Sequence, residues 1–434
     1  MSTQPTHASS FKWWICVLLL LASTLNYMDR QVFSLTSKGI KDTLGMSVQQ
    51  VATMESRFNL AFAVGVFFLG MIADRVNIRI FYPAIVVLWS LAGFASGYAT
   101  SFMMLLVCRF ALGLFEAGNI PFGIITIKRV LRVEERPLGN GMFQSGTALG
   151  AIVTPFIVLI CFGIVERMGA DDPLFAWQLP FRVVGIVGIV WAVLWLWMVR
   201  THHVQALDTD SAAEPSDTLA AMFQSRKFWI ALAATYGAIF SNRKFWIALV
   251  VVMSINTPWR TFGFWLPLLM QEEKGYAKES MLLLNPGFFA CADIGANAVG
   301  FACLLLVRRG FRLHRARLWC YLVCALMTTL TVMTAVLPAG FLLVAVIYLV
   351  GFGALGLFPI YYALSQEISA KDQGKVTGSL SCLNACYLAV LFPLQGLLIH
   401  HLKSYSLALG VVGLFPLIGL LVLSLFWQDK PSNT

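Results

Sequence analysis

Long apolar runs, each closed by a short charged or turn-rich stretch, repeat along the whole chain. A run of more than about 18 apolar residues is long enough to cross a bilayer as a helix. Twelve such runs can be placed, at 12–36, 49–72, 79–99, 102–127, 138–165, 179–199, 245–271, 281–307, 316–337, 340–366, 375–400 and 404–427. In lipid an open chain satisfies its backbone only as helix, so the pattern predicts an all-α membrane protein of twelve transmembrane helices. The polar interval after the sixth run divides it into a six-helix bundle over 1–200, a cytoplasmic linker over 201–244 and a second six-helix bundle over 245–434.

Composition narrows the class. Of 434 residues 59% are hydrophobic and 12% charged, against about 25% charged in an ordinary soluble domain. A soluble enzyme is excluded. The formal charge of +10 does not signal nucleic acid, because the basic residues sit in alternate short loops. They are Arg75 and Arg79; Lys128, Arg129, Arg132 and Arg136; Arg308, Arg309, Arg312, Arg315 and Arg317; and Lys371 with Lys375. The positive-inside rule then places both termini and the linker in the cytoplasm. The first run leads into polar residues rather than a small-residue cleavage site, so no cleaved leader is expected. The nine cysteines lie mostly within apolar runs, and Cys320/Cys324 and Cys382/Cys386 have helical spacing. Packing accounts for them better than a zinc site or a disulfide framework.

The linker begins THHVQALDTDSAAEPSDT, polar and poor in aromatics, which reads as flexible. RKFWIAL then occurs twice, at 226–232 and at 243–249. The second copy enters the seventh run. The first is followed by too short an apolar stretch to cross and return, and is expected to form an interfacial helix, with a re-entrant piece as the alternative.

Charges inside the runs carry the candidate chemistry. Between Phe102 and Ile127 there are only two, Arg109 and Glu116. A charge at mid-membrane costs about 2.5–3.5 kcal/mol on insertion scales, so a partner or a wet cavity must receive it. Seven residues apart, the two share a helix face at about 10.5 Å separation. Gly113, Gly118 and Gly123 leave room for neighbouring backbones. The first run holds NYMDRQ, with Asp29 and Arg30 pointing about 100° apart. Asp29 and Arg109 lie at similar depth, about 12 Å from the outer ends of their helices. An Asp29–Arg109 pair is expected, leaving Arg30 free to meet an anion and Glu116 deeper. Arg260 and Asp293 form a possible second pair across runs seven and eight, or line the cavity. Tyr27, Asn119, Thr147, Asn256, Trp259, Trp265, Tyr361, Tyr362 and Asn384 complete a candidate polar and aromatic lining. Glu367 and Lys371 are spaced as an ordinary helical pair. All six histidines fall in termini or loop regions, so proton handling falls to carboxylates.

GMIADRVNIR at 70–79 resembles the signature of the major facilitator superfamily, with Gly70, Asp74, Arg75 and Arg79 in place and Asn77 where a glycine is usual. With NYMDR, RFALGLFEAG, FGFWLPLLM (262–270), FFACADIG (288–295) and LFPIYYALSQEISAKDQGKVTG (357–378), the chain resembles the anion:cation symporters of that superfamily, closest to hexuronate and aldonate carriers. The resemblance implies the major facilitator fold and alternating access around a central site. It implies proton handling by Asp29 and Glu116 and carboxylate binding by Arg30 and Arg109. Asp74 and the arginines of the loop can bridge helix ends and stabilise one of two rocking states, so Gly70, Asp74, Arg75 and Arg79 are expected to gate rather than bind. Phe62 stands where many relatives have tyrosine, and Thr147 where some aldonate carriers have glutamine.

The expected protein is thus a proton-coupled symporter of a small organic anion, a sugar acid such as a hexuronate or aldonate. A monomer in a bacterial inner membrane is expected, with no cofactor and with protons or sodium as the coupling ion. An uncoupled organic-anion exchanger or facilitator, and a sensor that binds without transporting, are the competing readings. No nucleophile–base set or metal cluster points to an enzyme.

Overall fold

Helix propagates wherever apolar runs leave no competing partner for the backbone, and the chain follows that rule throughout. The computed structural model describes residues 8–73, 76–132, 135–168, 173–200, 226–369 and 373–427, and these contain helices and turns but no strand. Twelve helical segments are long and apolar enough to span a membrane: Phe11–Thr43, Val48–Ile72, Ile78–Ser96, Phe102–Val130, Leu138–Arg167, Leu174–Met198, Arg243–Glu273, Lys278–Arg308, Leu313–Val336, Phe341–Gln366, Gly374–Leu402 and Tyr405–Phe426. The expected twelve are all present. The first runs a full two turns past its expected end, carrying Lys38 and Asp42 as an i,i+4 pair at 3.7 Å.

Local chemistry sets the ends. Asn77, where the family signature has glycine, is the N-cap of the third span: its Oδ1 accepts from Arg79 N at 3.1 Å. Ser101, Asn242 and Ser404 cap the fourth, seventh and twelfth spans in the same way. Arg136 Nη2 donates to Lys128 O at 3.1 Å, closing the C-terminus of the fourth span.

Three spans are broken just ahead of a proline, while the ninth is interrupted by a 3-10 turn over Leu330–Val332 that contains none. The fourth divides at Ala117–Gly118 into Phe102–Glu116 and Asn119–Val130. Pro121 has no N–H for the Ala117 carbonyl, and its ring crowds that turn. The tenth divides at Leu357, ahead of Pro359, and the twelfth at Gly413–Leu414, ahead of Pro416. Both of these breaks fall in the same tetrapeptide, Gly-Leu-Phe-Pro. The seventh span instead ends in a π turn over Leu269–Glu273.

Two compact units result: Met1–Met46 with Arg57–Ala231, and Ser47–Ser56 with Leu232–Thr434. In the first unit, Tyr82 is buried with its ring centroid 5.5 Å from that of Trp191 and 5.2 Å from that of Trp195. Gly146 and Gly150 let the fifth span lie directly on the backbone of Leu20 and Thr24. The second unit is built around Phe245, Val252, Tyr321, Leu364 and Leu380. Its extra segment, residues 47–56, is held by Gln49 Nε2 donating to Pro393 O at 3.3 Å and Ser56 Oγ donating to Ala389 O at 2.5 Å. Met103, Val107, Ile160, Val190, Val193 and Trp197 are exposed apolar side chains, as a lipid-facing belt requires.

The first RKFWIAL copy opens a helix over Arg226–Phe240, and the second opens the seventh span. The expected short helix is present, but it does not merely trail along. Ile239 is buried in the core of the second unit with Tyr236 packed against that core, and Lys375 Nζ donates to Thr235 Oγ1 at 3.4 Å. Residues 201–225, Asp74, Arg75 and Lys371 lie outside the described residues.

Candidate functional site

The first unit gathers four ionisable groups around the break in its fourth span. The first helix of that span ends at Glu116, whose terminal carbonyl accepts from Asn26 Nδ2 at 3.3 Å. Glu116 is fully buried. Its Oε1 accepts a short charge-assisted hydrogen bond from Arg30 Nε, an ion pair between the first and fourth spans. Asp29, 3% exposed, lies in electrostatic reach of Glu116, Arg109 and Arg30. Gly93 leaves room for it: a Cβ there would stand 2.8 Å from Asp29 Oδ1, so a larger residue would make the carboxylate shift.

This redraws the expected pairing. Arg30 is not left free but is the partner of Glu116. Counting residues fixes depth and leaves the direction of each side chain open, and direction decides which arginine reaches which acid. The two arginines also differ in access. Arg30 is 18% exposed at its side chain, whereas Arg109 is 1% exposed. The Arg109 guanidinium carbon lies 4.1 Å from the Phe33 ring centroid and 4.8 Å from that of Phe58. That of Arg30 lies 5.0 Å from Phe58 and 4.8 Å from Phe62. Arg30 is thus the more accessible of the two cations, and Arg109 lies enclosed against the rings of Phe33 and Phe58.

The remaining candidates of the first unit take different roles. Tyr27 is half-buried beside Gly150. Thr147 is half-buried and its Oγ1 donates to Gln144 O at 2.8 Å. Asn119 is a packing residue rather than open lining: buried, its Oδ1 accepts from Tyr82 OH at 2.7 Å. Near the signature loop, Arg79 Nε donates to Val199 O at 2.9 Å, so it ties the third span to the end of the sixth. Gly70 has open space where a Cβ would be.

In the second unit Arg260 does not pair with Asp293. It forms an ion pair with Glu55 at 3.5 Å, and Asp293 is exposed with Asn297 Nδ2 donating to its backbone carbonyl at 2.9 Å. Trp265 is also redrawn as core: its ring is buried and its Nε1 donates to Gln395 Oε1 at 3.0 Å. Trp259 builds an aromatic corner, with ring centroids 6.0 Å from Phe288, 5.7 Å from Phe289 and 6.4 Å from Phe358. Asn256 is buried with Nδ2 donating to Val252 O, while Thr257 shares a 2.7 Å hydrogen bond with Tyr387. Tyr361 is buried and the neighbouring Tyr362 exposed. Asn384 Oδ1 is a buried acceptor with no hydrogen-bond donor. Glu367 pairs with Arg317 at 2.6 Å, a helix-end tie.

Sequence reasoning missed Glu55, Asn26, Gly93, Tyr387 and the phenylalanines at 33 and 58. Glu55 had a signal, as an acid in an apolar run. The phenylalanines had none, among 33 in the chain.

Twelve spans in two units, with a broken span beside an Arg–Glu pair in the first of them, describe a polytopic membrane protein. Residues 19–386 match the Major Facilitator Superfamily, and the chain belongs to that family of membrane transporters. It is 25% identical to the hexuronate transporter of Escherichia coli K12, over 97% of this chain and 95% of that one. It is 26% identical to that organism's probable L-galactonate transporter, over 96% and 89%, and 24% identical to the hexuronate transporter of Bacillus subtilis, over 97% and 96%. A crystal structure of a bacterial homologue of the human lysosomal transporter Spinster superposes with TM-score 0.71 at 16% identity, covering 97% of this chain and 99% of that one, and it shares the fold.

Proposed function

We propose that this protein carries a sugar acid, a hexuronate or aldonate, across a bacterial inner membrane in symport with protons. The observation that carries the reading is the Arg30–Glu116 pair: a partly exposed cation whose anionic partner is fully buried at a helix break. When Glu116 takes a proton it ceases to hold Arg30, and the guanidinium becomes available to a substrate carboxylate. Binding of the anion then depends on prior protonation, which is the condition for coupled transport. Asp29, close to both arginines, is the second proton-carrying acid. Arg109 supports Asp29 and closes the rear of the site.

The relatives' substrates support the choice of anion. Within the second unit, Trp259 and Tyr362 form an apolar wall, and Asn256 and Asn384 carry hydrogen-bonding groups, of the kind a polyol chain needs. The cycle is alternating access by a monomer, with Gly70, Asp74, Arg75 and Arg79 as the gating loop and both termini cytoplasmic. No cofactor is required.

The test is uptake by purified protein in liposomes, offered galactonate, glucuronate, galacturonate and galactarate in turn. An inward proton gradient should drive accumulation of at least one. Accumulation driven only by a sodium gradient overturns proton coupling, and counterflow without accumulation under either gradient makes the protein an exchanger.

A further inference from the structure

Phe58 stands at the crossing of the second and fourth spans. A Cβ on Gly113 would lie 2.4 Å from Phe58 O, so the fourth span rests directly on the Phe58 backbone and fixes where its ring projects. That ring is fully buried, and both guanidinium carbons lie within 5.0 Å of its centroid, Arg30 from the first span and Arg109 from the fourth. Ala92 and Leu112 pack against it, so the ring has little freedom to turn away. The charged groups facing this cluster are Asp29 and Arg30 from the first span and Arg109 and Glu116 from the fourth.

We propose that Phe58 is a positioning residue for anion binding, its ring holding Arg30 in place while Glu116 lets go and before the ligand arrives. The inference rests on the transport reading given above. Arginine is a long, many-rotamer side chain, and a released guanidinium would ordinarily wander or seek water. A cation over an aromatic face is held by the ring quadrupole, more strongly in a desolvated site. Phe58 and Phe62 hold Arg30 without using its N–H donors, which stay directed for a carboxylate. Phe33 and Phe58 hold Arg109 in the same manner. Binding then needs little rearrangement, and affinity reflects that preorganisation.

The experiment weakens the quadrupole at nearly constant shape, by placing mono-, di- and trifluorophenylalanine at position 58 through nonsense suppression. Phe58→Leu is made alongside to remove the ring. Affinity for galactonate, glucuronate, galacturonate and galactarate is measured on proteoliposomes, together with the melting temperature of each variant. The expected result is a stepwise loss of affinity with fluorine number, about threefold to tenfold at trifluorophenylalanine, at wild-type melting temperature. Phe58→Leu should bind at least as weakly; if it fails to fold, the fluorinated series decides. A flat series, or affinity loss that tracks a falling melting temperature, overturns the proposal and leaves the transport reading intact. Wild-type protein that binds none of the four acids overturns that reading, and this inference falls with it.

Discussion

Arg30 is held from three sides, by the Glu116 carboxylate and by the rings of Phe58 and Phe62. Its planar fork can keep the rings and exchange one carboxylate for another, which the compact ammonium of lysine cannot imitate. Arg30→Lys should therefore keep the protein folded but raise the KM for a sugar acid about tenfold or more, as expected from losing a charge-assisted hydrogen bond of about 1.5–3 kcal/mol. Wild-type KM and rate in that variant, measured by initial uptake, would remove Arg30 from the binding role. The four ionisable residues themselves were legible in the sequence, because an unexplained charge in an apolar helix has few other uses. That Arg30 would be taken by Glu116 was not. Asp29 and Arg30 differ by about 100° on their helix, and only packing decides which of them turns toward Glu116. The aromatic wall was invisible for a different reason: a phenylalanine holding a guanidinium and one facing lipid look the same in a sequence.

At the scale of the element, span positions followed directly from apolar run length, while the breaks within spans depended on single prolines. Pro121, Pro359 and Pro416 could each have marked a break, and a continuous fourth span was expected only because its apolar run is unbroken. Glycine positions were informative as well. Gly113, predicted to admit a neighbouring backbone, does so against Phe58 O, and Gly65 makes the matching approach, where a Cβ would stand 2.2 Å from Leu114 O. Gly113→Val must push the second and fourth spans apart, and overpacking of this kind costs about 1–3 kcal/mol or more. A melting temperature lowered by several degrees in detergent is expected, with transport lost. Gly163→Ala, in the fifth span with open space around it, should melt like wild type; equal behaviour of the two variants would refute the close-packing account. The helix Arg226–Phe240 gives a second case. A short apolar helix suggested a passenger lying in the interface, but Ile239 and Tyr236 pack into the second unit. Ile239→Ala should cost about 2–5 kcal/mol, as for other buried large-to-small changes. Deletion of residues 226–242 should then reduce the yield of folded protein. Full yield and wild-type melting after that deletion would restore the passenger reading.

For the whole molecule, the question is how one buried acid could tie proton movement to anion movement. Twelve spans and two units are a frame shared across a family that moves many kinds of cargo, so coupling has to be sought in the site and not in the fold. Glu116 is the only acid in the fourth span, sits at its break, and holds the one arginine of the pair that remains partly exposed. In the proposed cycle its two states have opposite consequences: ionised, it occupies Arg30; protonated, it releases Arg30 to the substrate. Glu116→Gln mimics the second state permanently at nearly constant volume. The variant should bind a sugar acid at least as well as wild type, and with less dependence on pH, since no proton is needed to free Arg30. It should also exchange substrate across the membrane in counterflow, because loaded carriers can still turn over. It should not concentrate substrate against a gradient, since no proton travels on that residue. Counterflow and accumulation under an imposed proton gradient must be measured on one proteoliposome preparation, so that a difference between them cannot come from reconstitution. If Glu116→Gln accumulates substrate with the wild-type response to the proton gradient, Glu116 is not the coupling acid. Asp29, within reach of the same arginines, is then the next group to substitute, and the exposed Asp293 of the second unit the one after it.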